Sequence, residues 1–67
     1  MDKIMTVKDV AEYLKISKAK IYYLISRRKI PHIKIQRNVR IRESDLMWWL
    51  DNQLVPVSGF DNAFKKA

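Results

Sequence analysis

Met5-Thr6-Val7-Lys8-Asp9-Val10-Ala11-Glu12-Tyr13-Leu14-Lys15-Ile16-Ser17-Lys18-Ala19-Lys20-Ile21 holds two helix starts in one short stretch. Thr6 is placed to cap, Asp9 stands at the third helical position to return the bond, and Met5 and Val10 flank them as a hydrophobic staple. From that cap Val7, Val10, Ala11 and Leu14 fall at offsets of three, four and seven, the apolar stripe of a helix over about Val7 to Leu14. Lys15 and Ile16 interrupt the stripe. Ser17 supplies a second cap, with Ile16 and Ile21 as its staple, and predicts a second helix from Lys18 to about Arg28 that turns Ile21, Leu24 and Ile25 inward. A gap of about three residues forces the two helices into a compact, angled pair, the geometry of a helix-turn-helix.

Downstream the period changes. Ile30-Pro31 ends the helical run, because the residue before proline is pushed out of the helical region. His32-Ile33-Lys34-Ile35 and Val39-Arg40-Ile41-Arg42 then alternate around Gln36-Arg37-Asn38, which predicts a two-stranded hairpin. In that hairpin Ile33, Ile35, Val39 and Ile41 are expected to face the core and Lys34, Arg40 and Arg42 to face out. Ser44 is the expected cap of a third helix reaching about Leu54, with Asp45 in its first turn against the positive end of the helix dipole. Leu46, Trp49 and Leu50 form one face of it, and Met47, Trp48 and Asp51 another. Tyr13 and Trp49 are expected at the core or its edge. The expected architecture is α+β and mostly helical: one domain over residues 1–54 with three helices and a two-stranded wing, then a tail over residues 55–67. In the tail Phe60 and Phe64 are spaced for a short helical turn, and Val55, Val57 or Phe60 could fold back over Trp48.

Charge is segregated along this chain. Lys15, Lys18, Lys20, Arg27, Arg28, Lys29, Lys34, Arg37, Arg40 and Arg42 put ten of the fourteen basic side chains between Tyr13 and Arg42, where none of the seven acids falls. A block of like charge is commonly just a solvated face. Here isoleucines are threaded through it, so the segment can fold and carry charge at once. With a net charge of +7 and a pI near 10.0, the composition points to nucleic acid, with an anionic membrane surface as the weaker alternative.

Other chemistry is scarce. The chain has 67 residues, and one this small buries only about 60% of its unfolded surface. No cysteine is present, so neither disulfides nor thiolate metal sites staple it, and the composition suits a reducing cytosol. One histidine, His32, one glycine, Gly59, and no convergent carboxylate pair leave little from which to build a catalytic or phosphate-cradling site. Neither enzymatic activity nor a cofactor is expected. No apolar run approaches the roughly 20 residues of a membrane span, and no secretory signal is visible.

Met5 to Ser17, then Ile21-Tyr22, Leu24-Ile25, Lys29-Ile30-Pro31, Lys34-Ile35, Arg37, Arg40-Ile41, Asp45-Leu46 and Trp49-Leu50, resemble the excisionase-like helix-turn-helix domains, relatives of the N-terminal DNA-binding domain of the MerR regulators. The similarity covers about residues 4 to 51. It implies a winged helix-turn-helix whose second helix enters the major groove while the hairpin wing meets the minor groove or the backbone. By position, the resemblance places Ser17, Lys18, Lys20, Tyr22, Tyr23 and Arg27 on or beside the recognition helix and Arg37, Asn38 and Arg40 on the wing. Five residues, in four places, depart from the family pattern. Arg28 and Gln36 stand where glycines are common, Val39 where an aromatic is, and Met47 with Trp48 where charges are. A Trp beside a Met on an exposed face suggests a protein contact, with Phe60 as a third candidate.

The expected function is sequence-specific binding of double-stranded DNA. The resemblance favours an excisionase, or recombination directionality factor, which bends DNA and recruits an integrase. A small MerR-related regulator acting with RNA polymerase is the alternative. Because the chain stops about 25 residues after its wing, room for a long dimerisation helix or an effector domain is not expected, and neither is a small-molecule effector. Cooperative self-association on repeated sites is the expected route to affinity, since one module this size buries little interface. A protein adaptor using Met47, Trp48 and the tail is the competing class. RNA would want aromatic platforms on an open sheet, and the hairpin has none. The expected location is the bacterial cytoplasm, at the nucleoid when bound.

Overall fold

The computed structural model describes residues 2–57. In chain order it contains β1 (Ile4–Met5), α1 (Val7–Leu14), α2 (Lys18–Ser26), β2 (Ile33–Ile35), β3 (Asn38–Arg42) and α3 (Glu43–Gln53). The first helix begins as its cap dictates. Thr6 Oγ1 accepts the Asp9 N–H at 3.0 Å while Asp9 Oδ2 accepts the Thr6 N–H at 3.0 Å, a reciprocal box. Ser17 opens α2 by accepting the Lys20 N–H at 3.1 Å. Both helices end with a residue in the left-handed region, Lys15 at φ 59° and Arg28 at φ 55°. After α2, the Lys29 N–H reaches the Leu24 carbonyl at 2.8 Å and the Arg28 N–H reaches that of Ile25 at 3.0 Å, the paired bonds of a Schellman turn. Arg28 therefore adopts the conformation a glycine would hold there. The predicted end of α2 at Arg28 moves back to Ser26, because the chain reverses at that residue.

Four side chains are completely enclosed, and each comes from a different element: Val10 of α1, Ile21 of α2, Ile41 of β3 and Leu46 of α3. Met5, Val7, Ala11 and Ile30 complete the core, with Leu14, Leu24, Ile25, Trp49 and Leu50 packed at its margin. Trp49 is thus a core-edge aromatic, as its spacing predicts. Tyr13, by contrast, is exposed, because its position on α1 falls off the Val7, Val10, Ala11 stripe.

The sheet gains a strand the alternation does not reveal. Ile4–Met5 pairs antiparallel with β3, Ile4 opposite Arg42 and Met5 opposite Ile41, so the order is β1-β3-β2 and the predicted hairpin becomes two strands of three. A two-residue strand is too short to show a period. The hairpin register also departs from expectation: Ile33 pairs with Arg40, Lys34 with Val39 and Ile35 with Asn38. The loop is then Gln36-Arg37 alone, with Gln36 at φ 56°, the positive first central residue of a type II′ turn. Directly paired residues share a face. Ile33 and Ile35 therefore lie with Asn38, Arg40 and Arg42 on the outer face, and Ile35 is exposed. Lys34 lies with Val39 and Ile41 on the face toward the helices. A loop one residue shorter than expected inverts the strand.

The third helix starts without a cap of its own. Its N-cap is Arg42, which offers no side-chain bond, and Ser44 sits inside the helix. Residues from the other end of the sequence fill the gap: the Lys3 carbonyl accepts the Glu43 N–H at 2.8 Å, while Asp2 accepts the Ser44 N–H at 3.1 Å and the Ser44 hydroxyl at 2.6 Å. Those bonds hold the Asp2 carboxyl below the usual carboxylate range. Met47 is half-buried against the core, not exposed as its polar-face position implied, whereas Trp48 is exposed. Val55 and Val57 are exposed as well and do not cover Trp48. Phe60 and Phe64 lie outside the described residues.

Candidate nucleic-acid interface

Two exposed lines of side chains run along α2. The first, Lys18 and Tyr22 one turn apart, forms a wall of a groove whose other wall is the wing, with Arg37, Asn38, Val39 and Arg40. Thr6, Val7 and Lys8 close its end, where α1 begins, and its volume is about 260 Å³. The second line is Lys20, Tyr23 and Arg27. Here the Lys20 Nζ lies 5.9 Å and the Arg27 Cζ 5.4 Å from the centre of the Tyr23 ring, so one aromatic ring carries two cations. The Ser26 hydroxyl donates to the Tyr23 carbonyl at 2.8 Å on the same side.

Of the nine side chains singled out from the sequence, five thus meet in the groove: Lys18, Tyr22, Arg37, Asn38 and Arg40. Lys20, Tyr23 and Arg27 form the adjacent cluster. Ser17 has a structural task, since its hydroxyl oxygen caps α2. Arg40 is tethered, donating from Nη1 to the Val39 carbonyl at 2.8 Å, which aims it along the strand. Lys8 is the groove cation that the charge pattern passes over. It lies upstream of the acid-free block, next to Asp9, and only the approach of the wing to the start of α1 brings it in.

The acid-free block keeps its charge available. Among the described residues, the single ion pair is Arg42 with Asp45, Nε to Oδ2 at 2.8 Å, and it holds the Arg42 guanidinium more firmly protonated than usual. Arg42 is the last of the block's ten cations, so the other nine have no carboxylate partner there. Asp9 is spent on the Thr6 cap, and the backbone and side-chain bonds to Thr6 hold its carboxyl below the ordinary range. Unpaired cations on a convex helix and an adjoining wing are what phosphates would displace counterions to reach. Among the described residues no cluster of histidine and carboxylate groups could hold a metal ion, and no helix is long and apolar enough to cross a membrane.

An angled pair of capped helices beside a wing with unpaired cations defines a winged helix-turn-helix DNA-binding protein. A family model described as a helix-turn-helix domain matches residues 4–54. The chain belongs to that helix-turn-helix family, which includes excisionase-like domains. No curated protein and no solved structure matches the chain.

Proposed function

We propose that residues 1–54 bind double-stranded DNA with α2 in the major groove and the hairpin in the neighbouring minor groove or on the backbone. The observation that carries this reading is the convergence of Lys18 and Tyr22 with Arg37, Asn38 and Arg40 in one groove free of lining acids. Lys18, Lys8, Arg37 and Arg40 act chiefly on phosphates, which receive most protein–DNA hydrogen bonds. Lys20, Tyr22, Tyr23 and Asn38 are the side chains assigned to base edges, with Arg27 steadying Tyr23.

In this reading the protein is an excisionase or recombination directionality factor of the bacterial nucleoid. It assembles cooperatively on repeated sites and works beside an integrase. Membership in a family with excisionase-like domains supports this over a MerR-type promoter regulator acting with RNA polymerase. Selection of bound duplexes from a random pool tests both levels. Tandem repeats support cooperative assembly, an inverted repeat supports a two-fold regulator, and no enrichment removes sequence specificity. On a selected duplex, log affinity should fall with log salt at about 0.9 per phosphate neutralised. A flat salt profile would remove the backbone contacts.

A further inference from the structure

A second, larger groove lies between the joint that follows α2 and the outer side of α3. It encloses about 660 Å³ and is lined by Arg28, Lys29, Ile30, Pro31, His32, Lys34, Trp48 and Trp49. None of these residues lines the groove beside the wing. Three features distinguish it. Its lining carries three permanent cations and an imidazole but no acid. It contains both tryptophans of the chain, and Trp48 is 62% exposed. Its walls are also pinned in place. The Trp49 Nε1 donates to the Lys29 carbonyl at 2.7 Å, tying α3 to the joint, and the His32 Nδ1 donates to the Ile30 carbonyl at 2.9 Å, fixing the ring in the lining.

We propose that this groove docks an acidic segment of a partner protein, with a bulky apolar side chain of the segment packed on Trp48 and its carboxylates paired with Arg28, Lys29 and Lys34. Charge complementarity selects the occupant. A second copy of this chain would bring a net charge of +7 to a groove already basic, and a neutral apolar segment would leave three cations unused. DNA satisfies the cations but has no use for an open indole flanked by Ile30 and Pro31, and the groove beside the wing, by contrast, contains no tryptophan. Trp and Arg at the centre of a preformed depression are the side chains that most often dominate a protein interface. The hairpin register gives Lys34 its place here. Sharing a face with Val39, it sits on the helix side of an edge strand and lines the groove together with Trp48 and Trp49 of α3.

The proposal rests on the reading that the protein acts with a protein partner, and not on which DNA it binds. Its test is a displayed library of short random peptides, panned on the full chain saturated with a selected duplex and counter-selected on Trp48→Ala. The expected survivors carry aspartate or glutamate together with leucine or an aromatic residue, and bind about tenfold or more weakly to Trp48→Ala and to Lys34→Gln, whereas Trp48→Ala leaves the affinity for duplex unchanged. Survivors without acids, or none that distinguish Trp48→Ala from the parent chain, would overturn the proposal. So would displacement of the peptides by added duplex, which would assign the groove to nucleic acid. Since duplex affinity is measured on the same samples, loss of DNA binding is recognised separately from loss of peptide binding.

Discussion

The groove beside the wing and the groove beside α3 are both basic and both free of lining acids, yet they differ in what lies between the cations. Tyr22, Asn38 and two valines, Val7 and Val39, lie among Lys8, Lys18, Arg37 and Arg40 in the first, so hydrogen-bonding groups are interleaved only with small aliphatic ones and no indole is present. Ile30, Pro31, Trp48 and Trp49 separate Arg28, Lys29 and Lys34 in the second. Positive charge recruits an anion in either case. The intervening groups decide which anion, because a phosphate backbone offers hydrogen-bond acceptors and little apolar surface beyond its sugar C–H groups, whereas an acidic protein segment offers carboxylates beside bulky apolar side chains.

The largest effect should come from removing what the two grooves share. Leu46 is fully buried in the core that holds the elements of both grooves together, and Leu46→Ala should cost about 2–5 kcal/mol, enough in so small a domain to abolish both activities and collapse the thermal transition. Separating the grooves is the next test. Lys20→Ala with Arg37→Ala should weaken duplex binding on the order of 100-fold and lower the salt slope by about 0.9 for each phosphate left without its cation, while Trp48→Ala leaves both quantities unchanged. Equal losses in the two variants, measured by fluorescence anisotropy, would erase the distinction.

Smaller effects probe the frame that sets the grooves apart. Thr6→Ala should cost about 1 kcal/mol in a urea titration, because Thr6 closes the wing groove and caps α1 with the same side chain. The carboxylates of Asp9 and Asp2 are held low by the bonds to Thr6 and Ser44, and the direction of their effect follows. Their contribution is complete above the pKa of an unfolded aspartate, about 3.9, and is lost as pH falls through the lower folded values. Tm should hold steady down to about pH 5 and drop below about pH 4, less steeply in Asp9→Asn. Gln36→Gly at the wing tip is the mildest change. Relieving a left-handed glutamine should gain about 1 kcal/mol and leave the α3 groove untouched.

The helical pair is legible in the sequence because its signals are local. Thr6 with Asp9, Ser17 with Lys20 and the Val7, Val10, Ala11 stripe act within one or two turns, and each forms as expected. What escapes depends on partners distant in sequence or on a count of one. The alternation in the hairpin is correct as a strand signal, but the side that faces inward depends on whether the loop holds two residues or three, and Gln36 accepts a left-handed backbone that no composition rule assigns to it. Ser44 has the identity of a cap and is not one, since Asp2 and Lys3 arrive from the start of the chain to satisfy the first turn of α3. The same long-range effects shape the sites. The groove beside the wing gathers five of the nine DNA-binding candidates, but it also takes Lys8. Trp48 stands out in the sequence, while the pattern puts its neighbours Arg28, Lys29 and Lys34 on a joint and an outward face.

An amide and indole NMR titration of the full chain with a selected duplex separates the two grooves in one experiment. Signals of Lys18, Lys20, Tyr22, Tyr23, Arg37 and Asn38 should move first and furthest, while the Trp48 indole stays in place. Movement of the Trp48 indole and the Lys29 amide, with α2 and the wing unperturbed, would contradict the assignment of DNA to the wing groove.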